Sequence, residues 1–212
     1  MRQIRTDLWE THTDAPFPGL TTHAYLWTRP ERNVLLYSPA TEVDFAAIEE
    51  LGGIGYQYLS HKHEAGPLLA RIADQFRSQL HAPAAELGQI GRYAHIDVSL
   101  ANRHVDSNGL EIIPTPGHTP GSTCYLLAGV EDETYLFTGD TTYVGDDGRW
   151  TTYLVSDSDP AALRSSLELL GTLHPDIVIT SASRSETGMH RLGSRRWSDC
   201  IAEALASVPG EN

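Results

Sequence analysis

The order of short β-rich runs constrains the fold of this chain more than any other feature. Such runs stand at Ala24–Trp27, Val34–Tyr37, Tyr56–Ser60, His95–Leu100, Leu110–Pro114, Thr123–Leu127, Thr134–Thr138 and Asp176–Thr180. They are rich in Val, Ile, Leu, Tyr and Thr and are bounded by Gly, Pro or Asp, as strands require. Helical patterns lie between some of them. Asp44–Leu51 is one, closed by Gly52-Gly53. Leu69, Ile72, Phe76 and Leu80 recur at steps of three and four and predict one apolar helix face. Asp159 predicts an N-cap with Pro160 at the first helical position, and Leu163, Leu167, Leu170 and Leu173 continue that helix as a core stripe. Trp197, Ile201, Leu205 and Val208 mark a C-terminal helix. The block of strands at residues 95–138 shows no helix between its members. A strict βαβ alternation is therefore absent, and sheets covered by helices on their outer faces fit better than a doubly wound parallel sheet.

The 212 residues contain no linker, repeat or low-complexity stretch, so a single domain spanning residues 1–212 is expected. Lys and Arg number 15 against 28 Asp and Glu, a net charge of −13. Such a surface repels phosphate backbones and anionic lipid, which argues against nucleic-acid and membrane partners. Cys124 and Cys200 are too few for a disulfide framework and sit in apolar stretches, as buried thiols do. No apolar core follows the N-terminal charges, and no run approaches the ~20 apolar residues that span a bilayer. A cytoplasmic location is the expectation.

Three segments carry chemistry. His61-Lys62-His63 follows the apolar run Gln57–Ser60. In extended backbone, residues i and i+2 share a face, so two imidazoles would point one way and Lys62 the other. Imidazole nitrogens bind zinc at about 2.0–2.1 Å, so the pair is half a metal site; a His-x-His on a solvated edge is the bland alternative. Pro114-Thr115-Pro116-Gly117-His118-Thr119-Pro120-Gly121-Ser122 is a bent, stiff loop. Its glycines and prolines restrict the backbone as holding an imidazole requires, whereas a plain turn has no need of the histidine. Phe137-Thr138-Gly139-Asp140-Thr141 ends a β-rich run in a carboxylate, either a cation ligand or a turn residue.

Taken in order, these segments resemble the metallo-β-lactamase superfamily over residues 20–181. His81-Ala82-Pro83-Ala84-Ala85-Glu86 is similar to the stretch that follows the family's first metal motif, and the helix Ala161–Leu173 with strand Asp176–Thr180 looks like its last αβ unit. The resemblance implies an α/β fold, a four-layered αββα sandwich with metal at one edge between the sheets. It implies metal ligands at His61, His63, His118 and Asp140. An aspartate at 140, where β-lactam-hydrolysing members carry cysteine, makes a β-lactam substrate an unfavoured expectation. Two departures matter. The family's His-x-His-x-Asp-His reads here His61-Lys62-His63-Glu64-Ala65-Gly66, and its final Gly-His-Gly is replaced by Thr180-Ser181-Ala182-Ser183-Arg184. Ligands of a second metal are thus missing, and a mononuclear site is expected, with zinc as the leading ion and iron as the alternative.

The leading functional expectation is a mononuclear metal-dependent hydrolase of an ester, thioester or lactone-like bond, using water activated by the metal. A small molecule is the expected partner, with a homodimer left open. Glu64 and Asp140 are the candidates for proton transfer, and Glu64 has a second reading as a solvated acid at a helix start. One alternative is a mononuclear iron oxidoreductase of the persulfide dioxygenase type, for which His61, His118 and Asp140 match the ligand set. Another is a binding protein that keeps the fold without turnover. His12, His23, His95, His104 and His174 read as surface or satisfied-core histidines, with His190 an outside candidate. Arg184, Arg191, Arg195 and Arg196 read as a helix surface or as a clamp for a substrate anion. Trp150 and Tyr153 read as lining a pocket mouth or as plain packing.

Overall fold

The computed structural model describes residues 1–210. Two sheets face each other. The first runs in the spatial order Arg2–Arg5, Leu8–Glu10, Tyr25–Trp27, Val34–Leu36, Tyr56–Tyr58, Gln79–Pro83, Val98–Leu100. Its early pairs are antiparallel and its last three parallel. The second sheet runs His104–Val105, Glu111–Pro114, Thr123–Ala128, Thr134–Gly139, Ile177–Thr180, Met189–Arg191. One of its pairs is parallel, Thr134–Gly139 with Ile177–Thr180, bridged by the helix Pro160–Leu170.

Aromatic side chains join the sheets. Tyr25 and Tyr37 meet Phe137 edge-on at 5.8 and 6.0 Å between ring centroids, and Tyr58 meets Tyr125 at 5.6 Å. All five are almost fully buried. On the outer face of the second sheet, Ile113, Cys124, Leu136 and Val178 pack against Leu163 and Leu167 of Pro160–Leu170 and against Cys200 and Ile201 of Trp197–Ser207. Outside the first sheet, Leu59, Leu80 and Ala82 pack with Leu69 of the helix Leu68–Phe76 and with Ile90. The result is the helix–sheet–sheet–helix layering that the resemblance implies. Both cysteines are free and buried. Asp159 caps its helix as expected, accepting from the amides of Ala161 and Ala162. No helix among the described residues is long and apolar enough to cross a membrane.

Four expectations are corrected. Leu80 is not on the helix that Leu69, Ile72 and Phe76 begin. That helix stops at Phe76, Arg77 takes a left-handed φ of +51°, and Leu80 joins the strand Gln79–Pro83. The step from Phe76 to Leu80 mimics a helical period across this break. Once that strand is recognised, residues 34–100 do alternate: parallel strands are separated by the helices Phe45–Glu50, Leu68–Phe76 and Leu87–Ile90. The alternation stays confined to one side of one sheet. The run expected at His95–Leu100 shrinks to Val98–Leu100 and belongs to this first sheet, not to the block that follows. Of the arginines expected on a helix surface, Arg191 lies in the strand Met189–Arg191 instead, whereas Arg195 and Arg196 stand at the start of the helix Trp197–Ser207 and pair with its Glu203 and Asp199.

A small third sheet matters for the site. Ala182–Ser183 pairs with Leu20–Thr22, which pairs with Asp14–Phe17. This hairpin, invisible in the hydrophobic pattern, stands beside the edge where Tyr56–Tyr58, Glu111–Pro114 and Thr134–Gly139 all end.

Candidate metal centre

His61, His63, His118 and Asp140 lie on loops that leave those three strand ends. His61 is extended, with φ −167° and ψ 172°, but Lys62–Glu64 form a single tight turn. The two imidazoles therefore do not meet through i, i+2 alternation, as extended backbone would have them do. Glu64 closes the turn instead: its carboxylate accepts from the Ser60 amide at 2.8 Å and from the Ser60 hydroxyl. The rings of His61 and His63 come to 5.0 Å, those of His61 and His118 to 5.0 Å, and those of His63 and His118 to 5.4 Å. Each pair is within about 5° of perpendicular, at 88°, 85° and 85°.

The tautomers are set from behind. Nδ1 of His118 donates to the Tyr153 carbonyl at 2.8 Å, which leaves the Nε2 lone pair free. Nδ1 of His61 faces the Ser60 hydroxyl at 2.9 Å and Glu64 Oε1 at 3.4 Å, so its Nε2 is also released. Both Nε2 atoms are buried without any hydrogen-bond partner. Buried acceptors left unpaired are costly, and an ion between these two would satisfy both. One donor nitrogen from each of the three histidines falls within 4.8 Å of the others, so the trio can hold a metal ion. Backing of the ring's second nitrogen is what metal-ligating histidines show.

Asp140 sits on the same centre. Oδ2 is 3.4 Å from His61 Nε2 and 3.7 Å from His118 Nε2, while Oδ1 accepts from the Ser181 hydroxyl. Burial opposes its charge, but His61, His118 and Ser181 outweigh burial and hold the carboxyl well below the usual carboxylate range. Burial also depresses His61, yet Asp140 and Glu64 on its two edges lift it to about 10, so an ion at Nε2 would displace a proton shared with Asp140. Burial first, and neighbouring imidazoles second, lower His63. Burial lowers His118 against the pull of Asp140. Glu64 is raised by burial, with His61 and Ser60 opposing. It lies on the Nδ1 edge of His61, behind the ring rather than in front of it.

The loops are locked by further groups. Glu86 is 1% exposed, and its carboxylate accepts from the Lys62 amide at 2.6 Å and the Gly121 amide at 3.2 Å. One side chain thus ties the His61–His63 turn to the His118 loop. Gly117, at φ +148°, lies so close to the helix Pro160–Leu170 that a Cβ would fall 2.4 Å from Leu163 Cα. Ser158 donates to the His118 carbonyl at 2.7 Å, and Lys62 pairs with Asp157 in the same segment. A lone glutamate and a backbone carbonyl carry no signal of such roles in sequence.

Other expected features fall elsewhere. His190 packs against the Trp150 ring at 5.4 Å and is not brought to the trio. Trp150 is buried, edge-on to Trp197 at 5.1 Å, and is core rather than pocket mouth. Tyr153 contributes its carbonyl, its ring being exposed. Arg184, Arg191, Arg195 and Arg196 pair with Asp146, Glu133, Glu203 and Asp199, and none lines the cleft beside the histidines. Ala65 and Gly66 supply no ligand. The His61–His63–His118 trio is the one such metal-capable cluster found among the described residues. A cleft of about 590 Å³ opens beside it, lined by His61, His63 and Asp140 and bounded by the Asp14–Thr22 hairpin and by Pro67 and Leu68. His23 also lines this cleft, buried, with Nε2 2.9 Å from the Thr21 hydroxyl.

A family model described as the metallo-beta-lactamase superfamily matches residues 46–182, well over half the chain. A probable metallo-hydrolase of Methanocaldococcus jannaschii is 40% identical over 75 residues, which are 35% of this chain and 32% of that protein. The match thus spans about a third of that relative's length. A metallo-beta-lactamase from Pontibacter korlensis superposes with a TM-score of 0.75 at 16% identity, covering 99% of this chain and 98% of the other. ETHE1 from Myxococcus xanthus gives a TM-score of 0.61 at 18% identity, with 88% and 83% covered.

Proposed function

The chain belongs to the metallo-beta-lactamase superfamily, and from that premise we propose that it is a hydrolase working with one divalent ion, which His61, His63, His118 and Asp140 hold. The bond it cleaves is an ester, thioester or lactone-like carbonyl bond. The observation that carries this reading is the pair of buried, unpartnered Nε2 atoms beside an ionised carboxylate. Three nitrogens and one oxygen suit zinc, with iron the alternative. A divalent ion there supplies Lewis-acid polarisation of a carbonyl and lowers the pKa of water to about 7. Asp140, held ionised by its neighbours, serves as a ligand and a weak base. Glu64 orients His61 through Nδ1 and acts as a positioning residue. The His118 ring is fixed by the Tyr153 carbonyl. The partner is a small molecule, and the charge of −13 supports the absence of nucleic-acid and anionic-membrane partners.

The test is elemental analysis of protein purified without chelator, on the wild type and on His118→Ala, together with hydrolysis of p-nitrophenyl esters. About one zinc per chain, lost in the variant, with esterase activity that a chelator abolishes, supports the proposal. Iron with O₂ uptake on a persulfide replaces it by the oxidoreductase alternative. No metal, and no rise in Tm on adding zinc, replaces it by a binding protein without turnover, because a tight ligand must raise apparent stability.

A further inference from the structure

We infer that the cleft beside the three histidines accepts an uncharged acyl chain and rejects substrates whose chain carries an anion. The inference rests on the hydrolase reading for the position of the reacting carbonyl, but its carrying observation is the cleft's own chemistry. None of the residues lining it is Lys or Arg. Its acidic side chains are Asp14, Glu64 and Asp140. An anion buried in the cleft would find no guanidinium or ammonium to pair with, and near the hairpin it would meet Asp14.

The nearby cations are spoken for. Lys62 turns away to Asp157. Arg184 lies near Gly19, outside the lining, and pairs with Asp146 at 3.4 Å. The walls are apolar: Phe17 and Leu20 from the hairpin, Pro39 opposite, and Leu68 at the start of its helix. Phe17 is 66% exposed, a large aromatic kept in water at the rim of a cleft. A concave apolar site with a few convergent polar groups is the usual form of a small-molecule pocket, and about 590 Å³ lies within the usual range of 300–1,000 Å³. Gly66 leaves further room, since a Cβ there meets nothing within 4 Å. A divalent ion held by the histidines would lie at the carbonyl end of the substrate. The chain beyond it lies between Phe17 and Leu68, where burial of methylenes stabilises binding.

Calorimetry on chelator-treated protein tests the cleft without turnover, using octanamide and suberamic acid, which has the same chain ending in a carboxylate. Octanamide is expected to bind at least tenfold more tightly. Phe17→Arg and Leu20→Arg, both away from the histidines, should each reverse or erase the preference, with thermal melts confirming the fold. Suberamic acid binding equally or better, or neither amide binding, overturns the inference. In parallel, kcat/KM is measured for p-nitrophenyl octanoate and for the mono-p-nitrophenyl ester of suberic acid on metal-loaded protein. A tenfold preference for the octanoate supports the inference, and a preference for the suberate overturns it. If neither ester is cleaved while octanamide binds selectively, the hydrolase reading fails and the cleft's selectivity stands.

Discussion

His61 is held by its neighbours on both edges, and each edge has its own task. Nε2 faces Asp140, while Nδ1 faces Ser60 and Glu64. Replacing Glu64 by Gln keeps the size but removes the charge that fixes Nδ1–H. The expected result is a 10- to 100-fold loss of metal affinity, read by competition with a chromophoric chelator, since groups backing a ligand carry that much. Unchanged affinity would show that Ser60 alone orients the ring. The three histidines and Asp140 were legible in the sequence because each stands at the end of an apolar run, where chemistry is rare by chance. Ser181 and Glu86 were not, because a hydroxyl and a glutamate look the same in sequence whether solvated or buried. Tyr153 acts through a carbonyl, which every residue has.

At the scale of elements, the His118 loop depends on a contact too close for a side chain. Gly117→Ala would place Cβ 2.4 Å from Leu163 Cα at a φ of +148° that L residues rarely adopt. We expect a loss of about 2–4 kcal/mol in denaturant unfolding, along with weaker metal binding. A variant as stable as wild type would mean that the helix Pro160–Leu170 can shift, and a crystal structure of it would show the shift. The glycine's importance was readable from the Pro-Gly pattern, but the partner helix was not. Leu80 shows the opposite failure. Its spacing from Phe76 fits a helix, yet the left-handed Arg77 ends that helix and the residue becomes strand. A periodic signal cannot register a break that keeps the phase. The polar hairpin Asp14–Thr22 escaped for a simpler reason, having no apolar alternation to see.

For the whole molecule, acid stability is set by buried neutral histidines. His81 is 6% exposed and stacked on Tyr58 at 4.1 Å; burial pushes it down to about 4. His190, also lowered chiefly by burial, falls to about 4 as well. Between pH 6.5 and 4 the unfolded chain takes up these protons while the folded one does not, so stability falls as pH falls through that window and levels below it. His81 alone contributes up to about 3 kcal/mol to this slope. Glu10, held near 2 by His23, Arg2 and Thr187 against burial, adds stability above about pH 4.5 that is lost as pH drops towards 2. Unfolding measured from pH 8 to 4 should show a shallower decline in His81→Phe than in wild type, whereas identical slopes would rule His81 out. The layered architecture was readable only through the ordered motifs. Strand counting by itself favoured stacked sheets but concealed the parallel half.

The Glu86 carboxylate joins two loops that hang from opposite sheets, and this makes them one unit in time as well as in space. The amide protons of Lys62 and Gly121 share a single acceptor group, so neither is freed for solvent while that group stays in place. Hydrogen exchange at the two sites should therefore proceed at a common rate set by one opening event, although 59 residues separate them in the chain (121 − 62). In Glu86→Gln the two rates should separate, each loop then breathing with its own sheet.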